Sequence, residues 1–376
     1  MSRVQGLQGN CWPDPHDALL LQFLLHADSD AATRAWREWR PGWIPDAPTS
    51  EQYRLYPLMA ERLSELRLDE PESGMLQGVR RQLTIRNMLT LDHLDALLNR
   101  LESAGHEAVA LKGAALALTV YDHIGQRPFH DLDVLVGPRR FDDAVSLMGE
   151  DGWSRVGDYD PGLWDHAVTL RRGDVSLDLH RRHCRELVIP GRLDATWDVI
   201  DTVTARRPLR SGRSVRVLAP ADSLVHALAH GTLALFPINL RWVADAQRVI
   251  VAGVDWDRVV TLAEVYEVTP LIRDGLAFVR DTTGTEVPGE VLRDLETIRP
   301  PFLARRRIKA FHEFRDTGSW VGRLSEDVDY YLEHTRHQRP TEVVGTAPLY
   351  AVRVIWPRVR GLGGKLVRQV IHRPAR

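Results

Sequence analysis

The sequence predicts an α+β fold in which a mixed sheet with helices lies between two helical segments. Apolar residues recur at helical spacing before about residue 104, short apolar and alternating runs follow, and helical spacing returns near residue 220. These three observations predict the class. The expected parts are an N-terminal helical region over 1–104, a sheet-containing core over 105–218, a C-terminal helical domain over 219–345 and a basic tail over 346–376.

The composition is ordinary for a globular protein. Of 376 residues, 44% are apolar and 27% are charged, and the formal net charge is -2. This balance argues against long nucleic acid as a partner, because binding a phosphate backbone requires a basic surface. Cys11 and Cys184 lie far apart, which fits a reducing, cytoplasmic location. No signal peptide and no membrane-spanning segment are expected.

The flanking regions are predicted to be helical. Leu94, Leu98 and Leu101 form a stripe at helical spacing that ends near Gly105. After Pro220 the same spacing returns, and a single helix is expected over 259–277. The last 26 residues carry seven Arg or Lys and no acid, so they are expected to form a loosely docked basic tail.

The core is predicted to consist of short strands joined by helices and turns. A buried run ending at Leu111 leads through Lys112-Gly113 into a helix. Two later strands flank Gly173-Asp174 and form a hairpin. The predicted strands cover 108–111, 130–136, 167–171 and 175–181, and the predicted helices cover 114–121 and 141–148.

Two aspartates mark the second strand. Asp131 and Asp133 are two residues apart, so both side chains project from one face while Leu132 enters the core. Carboxylates this close repel each other unless a cation lies between them. Mg²⁺ suits the pair, because it binds one or two carboxylates together with substrate phosphates and water. A lone pair of this kind is also common at solvated strand ends, so it needs support from other residues.

A third carboxylate, Asp178, lies on the second hairpin strand. Leu177 and Leu179 alternate there with Asp178 and His180. If this strand lies next to that of Asp131, three carboxylates converge and can hold two metal ions. His180 has three open roles: it contacts a phosphate, braces Asp178 or is purely structural.

Residues upstream of the acids suit a phosphate. Lys112-Gly113 lies where a strand turns into a helix, and the helix N-terminus offers free N–H groups. Gly113 would let the backbone approach a ligand, and Lys112 would add a charge. Arg127, four residues before Asp131, is a planar donor for the same triphosphate. The alternative for Lys112-Gly113 is a plain turn with a solvated lysine.

Together these motifs resemble a known family. They are similar to the uncharacterised nucleotidyltransferase family of bacterial proteins, a branch of the polymerase-β-like nucleotidyltransferases, over roughly Tyr53 to Ala277. The resemblance implies a polymerase-β-like nucleotidyltransferase core over 105–218. Most such enzymes have Gly-Ser or Gly-Gly at the turn, whereas Ala114 follows Gly113 here, so a serine contact to phosphate is missing. The matching elements are Leu111-Lys112-Gly113-Ala114-Ala115, Arg127-Pro128, Asp131-Leu132-Asp133-Val134-Leu135-Val136 and Leu177-Asp178-Leu179-His180.

The resemblance implies transfer of a nucleoside monophosphate from an NTP, with ATP expected, and release of pyrophosphate. Asp131 and Asp133 would bind the metal that carries the triphosphate, Mg²⁺ or in its place Mn²⁺. With Asp178 they would hold a second metal, and Asp178 would orient or deprotonate the acceptor hydroxyl. The predicted nucleotide-binding residues are Lys112, Gly113, Arg127 and His180.

The acceptor stays open at this point. It is a small molecule, a peptide or protein, or an RNA end, and a small molecule or peptide is favoured over long nucleic acid. No obligate protein partner is evident. Two other functions remain as alternatives: an ATP-dependent phosphotransferase acting on a peptide or metabolite from the same site, and a non-catalytic nucleotide-binding module.

Other polar residues have a structural and a functional interpretation. His226 and His230 are four apart on a predicted helix, a zinc-binding spacing, but no acid lies between them, so buried structural histidines are favoured. A metal is not expected at His180-Arg181-Arg182-His183-Cys184, because neighbours on a strand point to opposite sides. Arg241 and Asp245 are expected to pair on a helix surface.

Overall fold

The computed structural model describes residues 12–157, 166–189, 195–233 and 239–317, together with six isolated positions after them. The predicted basic tail lies outside the described residues except for positions 347 and 351. Within the described ranges, none of the helices combines the length and the apolar composition needed to cross a bilayer.

Helices precede the sheet, as the sequence predicts. Asp14, Asp28 and Thr49 cap the first three by accepting a hydrogen bond from a backbone N–H of the first turn. The expected loop between the second and third contains a 3-10 turn at Arg40–Gly42. The four helices are α1 (Pro15–Leu25), α2 (Ser29–Trp39), α3 (Ser50–Glu65) and α4 (Ser73–Ser103).

Seven strands of the described residues form one mixed sheet. They are β1 (Ala108–Ala110), β2 (Asp131–Val136), β3 (Ser154–Arg155), β4 (Ala167–Arg172), β5 (Val175–His180), β6 (Thr202–Thr204) and β7 (Arg216–Leu218). Their order across the sheet is β3-β4-β5-β2-β1-β7-β6. The pairs β2–β5 and β1–β7 are parallel, and the other neighbours are antiparallel. The predicted mixed sheet between helical segments is therefore confirmed.

The pairing of β2 with β5 brings the predicted acids together. These strands are parallel neighbours, with Asp133 opposite Asp178 and Asp131 opposite Ser176. The predicted hairpin between β4 and β5 is confirmed, and Gly173 in its turn has a φ of 59°, a conformation that favours glycine. The strand of Asp178 thus lies next to that of Asp131 and Asp133, which is the adjacency that a three-carboxylate site requires.

Nine further α-helices lie within the continuous described ranges. They are α5 (Lys112–Thr119), α6 (Phe141–Glu150), α7 (Thr196–Val199), α8 (Pro220–Leu233), α9 (Arg241–Ala252), α10 (Trp256–Val265), α11 (Thr269–Thr283), α12 (Gly289–Thr297) and α13 (Phe302–Thr317).

Two large apolar cores stabilise the fold. One packs the sheet against α4, α5 and α6, and it includes Leu98 and Leu132. The other joins the N-terminal helices to those after the sheet, with Met59 of α3, Trp242 of α9 and Leu276 of α11 in one cluster. The two helical segments therefore share a core rather than flank the sheet separately.

The structure differs from the sequence prediction at three places. The single helix expected over 259–277 is wrong, because the chain leaves helical geometry at Glu267, whose φ is 55°. Pro270 in the first turn of α11 begins a new helix. Helix α5 begins at Lys112, two residues earlier than expected. Strands β3, β6 and β7 were not predicted, since each has only two or three residues.

Candidate active site

A pocket of about 200 Å³ opens where the sheet meets α5, α8 and α9. Its wall includes Asp131 and Asp133 from β2, and Lys112 and Gly113 from the start of α5. The pocket is lined by several further basic or imidazole side chains, namely Arg54, Arg127, His130, His226, His230 and Arg241. Acidic and basic groups thus share one concave site.

Asp133 is the buried centre of this site. It is 3% exposed, and its Oδ1 accepts a hydrogen bond from Lys112 Nζ at 2.6 Å and lies 2.9 Å from His180 Nε2. Burial alone would raise the pKa of Asp133, but the Lys112 ammonium and the His180 hydrogen bond hold it well below its usual range. Asp133 is therefore a carboxylate.

The other two acids are neighbours of Asp133: Asp131 lies two residues earlier on β2, and Asp178 lies opposite it on β5. Asp178 is half-buried, and its Oδ1 accepts a hydrogen bond from Thr169 Oγ1 at 2.7 Å. Asp131 is exposed at the pocket, yet partial desolvation and the charge of Asp133 raise its pKa, with Asp178 adding to the effect. The three carboxylates therefore repel one another, as the sequence predicts for a cation site.

His180 contacts Asp133 rather than Asp178. It is fully buried, and its Nε2 lies on Asp133, whereas the sequence suggested Asp178 as the residue that it would brace. One ligand atom each from Asp133, Asp178 and His180 lies within 4.8 Å of the others. These residues form a group with the donor types and spacing of a metal site.

Lys112 and Gly113 form the turn that faces the acids. Lys112 has a φ of 48°, a left-handed conformation that costs about 1–2 kcal/mol for a residue with a side chain. Burial would lower the pKa of Lys112, but the charge of Asp133 raises it above its usual range. Lys112 is not a solvated lysine, since its ammonium forms an ion pair with Asp133.

Arg127 is bound by an acid from a distant helix. Its Nε and Nη2 donate to the two carboxylate oxygens of Asp245 at 2.7 and 2.8 Å, and Nη1 donates to the Pro128 carbonyl at 2.8 Å. Tyr121 also donates to Asp245, at 2.7 Å. This buried network ties the loop before β2 to α9, so the predicted Arg241–Asp245 pair is wrong.

Basic side chains from α3 and α9 face the same pocket. Arg54 donates to Glu51 at 3.0 Å, and Arg241 Nε lies 3.7 Å from the other oxygen of Glu51. Burial lowers the pKa of His130 to about 4, and Arg54 and Arg241 are among the charges that reinforce this. One glutamate is thus shared by two guanidinium groups, which leaves net positive charge at this wall.

A comparison with known families identifies the class of this chain. Residues 47–284, more than half of the chain, match the model of a family described as "Uncharacterised nucleotidyltransferase". The chain belongs to this family. No curated protein matches it. Among solved structures it is similar to an antigenic nucleotidyltransferase-like protein from Paracoccidioides brasiliensis, with 14% identity and a TM-score of 0.35 over 56% of this chain and 94% of that chain.

Sequence reasoning missed two residues that hold the candidate site of this family member. Thr169 lies opposite Asp178 in the hairpin, so counting back from the Gly173-Asp174 turn would have found it. Asp245 follows Arg127 by 118 residues, and no local pattern links the two. Strand register could have predicted the Thr169–Asp178 contact, whereas the Arg127–Asp245 contact required the tertiary structure.

Proposed function

We propose that this protein is a metal-dependent nucleotidyltransferase that moves a nucleoside monophosphate from an NTP to an acceptor. The observation that carries the proposal is Asp133 lying opposite Asp178 on parallel strands, with Lys112 bound to Asp133 at the pocket. Membership of the nucleotidyltransferase family supports the reaction class. ATP is the expected nucleotide.

Mg²⁺, or Mn²⁺ in its place, fits Asp131, Asp133 and Asp178. These are hard oxygen ligands, and the repulsion that raises the pKa of Asp131 is relieved by a cation. Such an ion would offset the charge of the triphosphate and polarise the phosphate that is attacked. His180 would keep Asp133 oriented through its bond to Oδ1.

The nucleotide would lie against the positive parts of the pocket. Lys112 and Gly113 at the α5 N-terminus would face a phosphate. Arg127 also lines the pocket, where Asp245 balances its charge, and it would position the loop before β2 against the nucleotide. Arg241, with Arg54, adds charge that suits a triphosphate or an anionic acceptor.

Asp178 is the proposed general base. The acceptor oxygen would form a bond to the α-phosphorus while the bond to the bridging oxygen breaks and pyrophosphate leaves. The hydroxyl proton would pass to Asp178, which Thr169 holds in place. A small molecule or a peptide remains the favoured acceptor, and a cytoplasmic location stays a prediction.

The test uses the position of the label in the nucleotide. Each NTP, labelled either at the α- or at the γ-phosphate, is incubated with the protein, Mg²⁺ and cell extract. Nucleotidyl transfer moves the α-label to an acceptor and releases γ-label as pyrophosphate. Transfer of the γ-label with release of a nucleoside diphosphate would instead assign a phosphotransferase.

Variants connect the activity to the acids. Asp178→Asn should reduce label transfer by at least about 100-fold, the usual scale for loss of a positioned acid–base group. Asp131→Ala, which removes a proposed metal ligand, should also reduce it. Asp174→Asn, which changes an exposed aspartate in the turn before β5, is the matched control and should keep full activity. If the wild type and the three variants had equal activity, catalysis by these carboxylates would be refuted.

A further inference from the structure

A second group of metal-ligating side chains lies between the segment after β5 and helix α8. Cys184 and Glu186 follow β5, and His230 lies in the last turn of α8. One ligand atom from each of the three lies within 4.8 Å of the other two. None of these residues is one of the three aspartates of β2 and β5, although His230 lines the same pocket.

We propose that Cys184, Glu186 and His230 bind a transition-metal ion, with Zn²⁺ as the best fit. A thiolate, a carboxylate and an imidazole are the donors that Zn²⁺ takes in tetrahedral sites. Mg²⁺ prefers oxygen ligands alone, so this group differs in chemistry from the acids of β2 and β5. The expectation of no metal at His180-Arg181-Arg182-His183-Cys184 concerns that run alone and stays untested.

The contacts of the three side chains converge on Glu186. The thiol of Cys184 donates to Glu186 Oε2 at 2.6 Å, and His230 Nδ1 lies 3.8 Å from the same oxygen. Ligand atoms around tetrahedral zinc are about 3.5 Å apart, given bond lengths of about 2.0–2.3 Å, so the sulfur–oxygen contact would open by about 1 Å when the ion binds. Binding would replace the thiol proton, which passes to solvent.

A neighbouring histidine gives independent support. His226 lies one turn before His230 on α8, and their ring centroids are 6.0 Å apart. Its side chain is 4% exposed, and Nε2 has no hydrogen-bond partner among the described residues. A buried polar atom without a partner is costly, and a metal ion beside it would satisfy it. His226 lies outside the three-residue group, but its unpartnered nitrogen marks a buried polar space next to His230.

The position of the site gives it a role and a route of entry. His226 and His230 line the pocket, and the His230 side chain is 41% exposed, so an ion can arrive from solvent. A bound ion would connect the segment after β5 to α8. Because β5 carries Asp178, the ion would fix this acid relative to the helical wall of the pocket.

Cobalt is the direct probe of this site. Protein freed of metal by a chelator is titrated with Co²⁺ under reducing conditions, and a thiolate-to-cobalt charge-transfer band is expected, which Zn²⁺ then abolishes by displacement. The aspartates of the other site have no sulfur and cannot produce this band. Cys184→Ser should lose the band, whereas Cys11→Ser, which removes the other cysteine of the chain, should keep it.

A second measurement covers the case in which Cys184→Ser does not fold. Zn²⁺ should raise the unfolding temperature of the metal-free wild type and should not raise that of His230→Ala, which alters a partly exposed side chain. A folded wild type without the band, or an equal Zn²⁺ effect on both proteins, overturns the proposal. Neither readout depends on nucleotide transfer, so this test fails or succeeds independently of the proposed enzymatic function.

Discussion

Position 113 has little room for any side chain. A Cβ built on Gly113 would lie 2.5 Å from the Cβ of Phe129, which is itself buried. The sequence suggested that this glycine admits a ligand, whereas the structure gives it a packing role against the residue two positions before Asp131. The glycine thus lets the turn bearing Lys112 approach β2 closely.

Gly113→Ala should therefore destabilise the protein. The added methyl group overlaps Phe129, and the buried turn must shift, which costs about 1–3 kcal/mol in the free energy of unfolding. Urea unfolding measures this change. Gly78→Ala in α4 is the matched control: no atom lies within 4 Å of its Cβ, and the helix should gain about 0.5–1 kcal/mol. Similar stability of both variants would contradict the packing explanation.

Asp17 should make stability depend on pH. Burial, with Asp14 adding to the effect, raises its pKa to about 6. A carboxyl whose folded pKa lies above the unfolded value of about 3.9 stabilises the fold when protonated, and this contribution is lost as pH rises through about 6.

Asp17→Asn should consequently be more stable than the wild type at about pH 8, by about 1 kcal/mol after allowance for solvent screening. The difference should shrink as the pH falls from about 6 to about 4. Urea unfolding at several pH values measures it. Asp30→Asn, in the first turn of α2, is the control. An advantage of Asp17→Asn that grows toward low pH would show that the sign is wrong.

At the scale of elements, the sequence predicts those segments whose pattern is long enough to be specific. Strands β2 and β5 alternate or run apolar over six residues, and both were predicted within one residue. Three-residue strands such as β6 and β7 carry no period, and only pairing makes them strands, of β7 with β1 and of β6 with β7. The break between α10 and α11 had one signal, Pro270, which the helical spacing around it obscured.

The residues of the candidate site also differ in whether the sequence alone could group them. Asp131, Asp133 and Asp178 could be grouped in advance, because strand alternation fixes the face and a single adjacency brings them together. The partners of Arg127 and Arg241 could not, because Asp245 and Glu51 come from helices far away in sequence. Local periodicity determines which way a side chain points, and tertiary packing determines what it meets.

The Arg127–Asp245 pair should be important for holding α9 against the core. Both side chains are less than a tenth exposed, so Asp245→Asn leaves a buried guanidinium without its counter-charge. Asp245→Asn should lower the free energy of unfolding by about 2–4 kcal/mol. Arg127→Met should cost less in the Asp245→Asn background than in the wild type, because the ion pair is already lost there.

Asp257→Asn on α10 replaces an exposed aspartate and is the control for Asp245→Asn. It should change the free energy of unfolding by less than about 0.5 kcal/mol. Full additivity of the Asp245→Asn and Arg127→Met changes would mean that the pair contributes no coupling energy.

At the scale of the whole molecule, the helices before the sheet and the helices after it pack into one common core. α1 and α3 contribute to the same apolar cluster as α8, α9 and α11, although the sheet lies between them in sequence. The aromatic contacts follow this pattern, since Trp12 near the start packs edge-on against Trp242 and beside Phe278. Neither segment can bury its apolar face without the other.

The shared core leads to a prediction for unfolding. Met59→Ala in α3 and Leu276→Ala in α11 each remove a fully buried side chain and should each cost about 2–5 kcal/mol. Because both belong to one cluster, each should shift the same single transition, seen alike by tryptophan fluorescence and by far-ultraviolet circular dichroism. Met88→Ala, at a side chain 48% exposed on α4, should leave the transition in place. A cavity in a common core destabilises everything that packs on it. If Met59→Ala moved only an early transition and Leu276→Ala moved only a later one, the two helical segments would therefore be separate folding units.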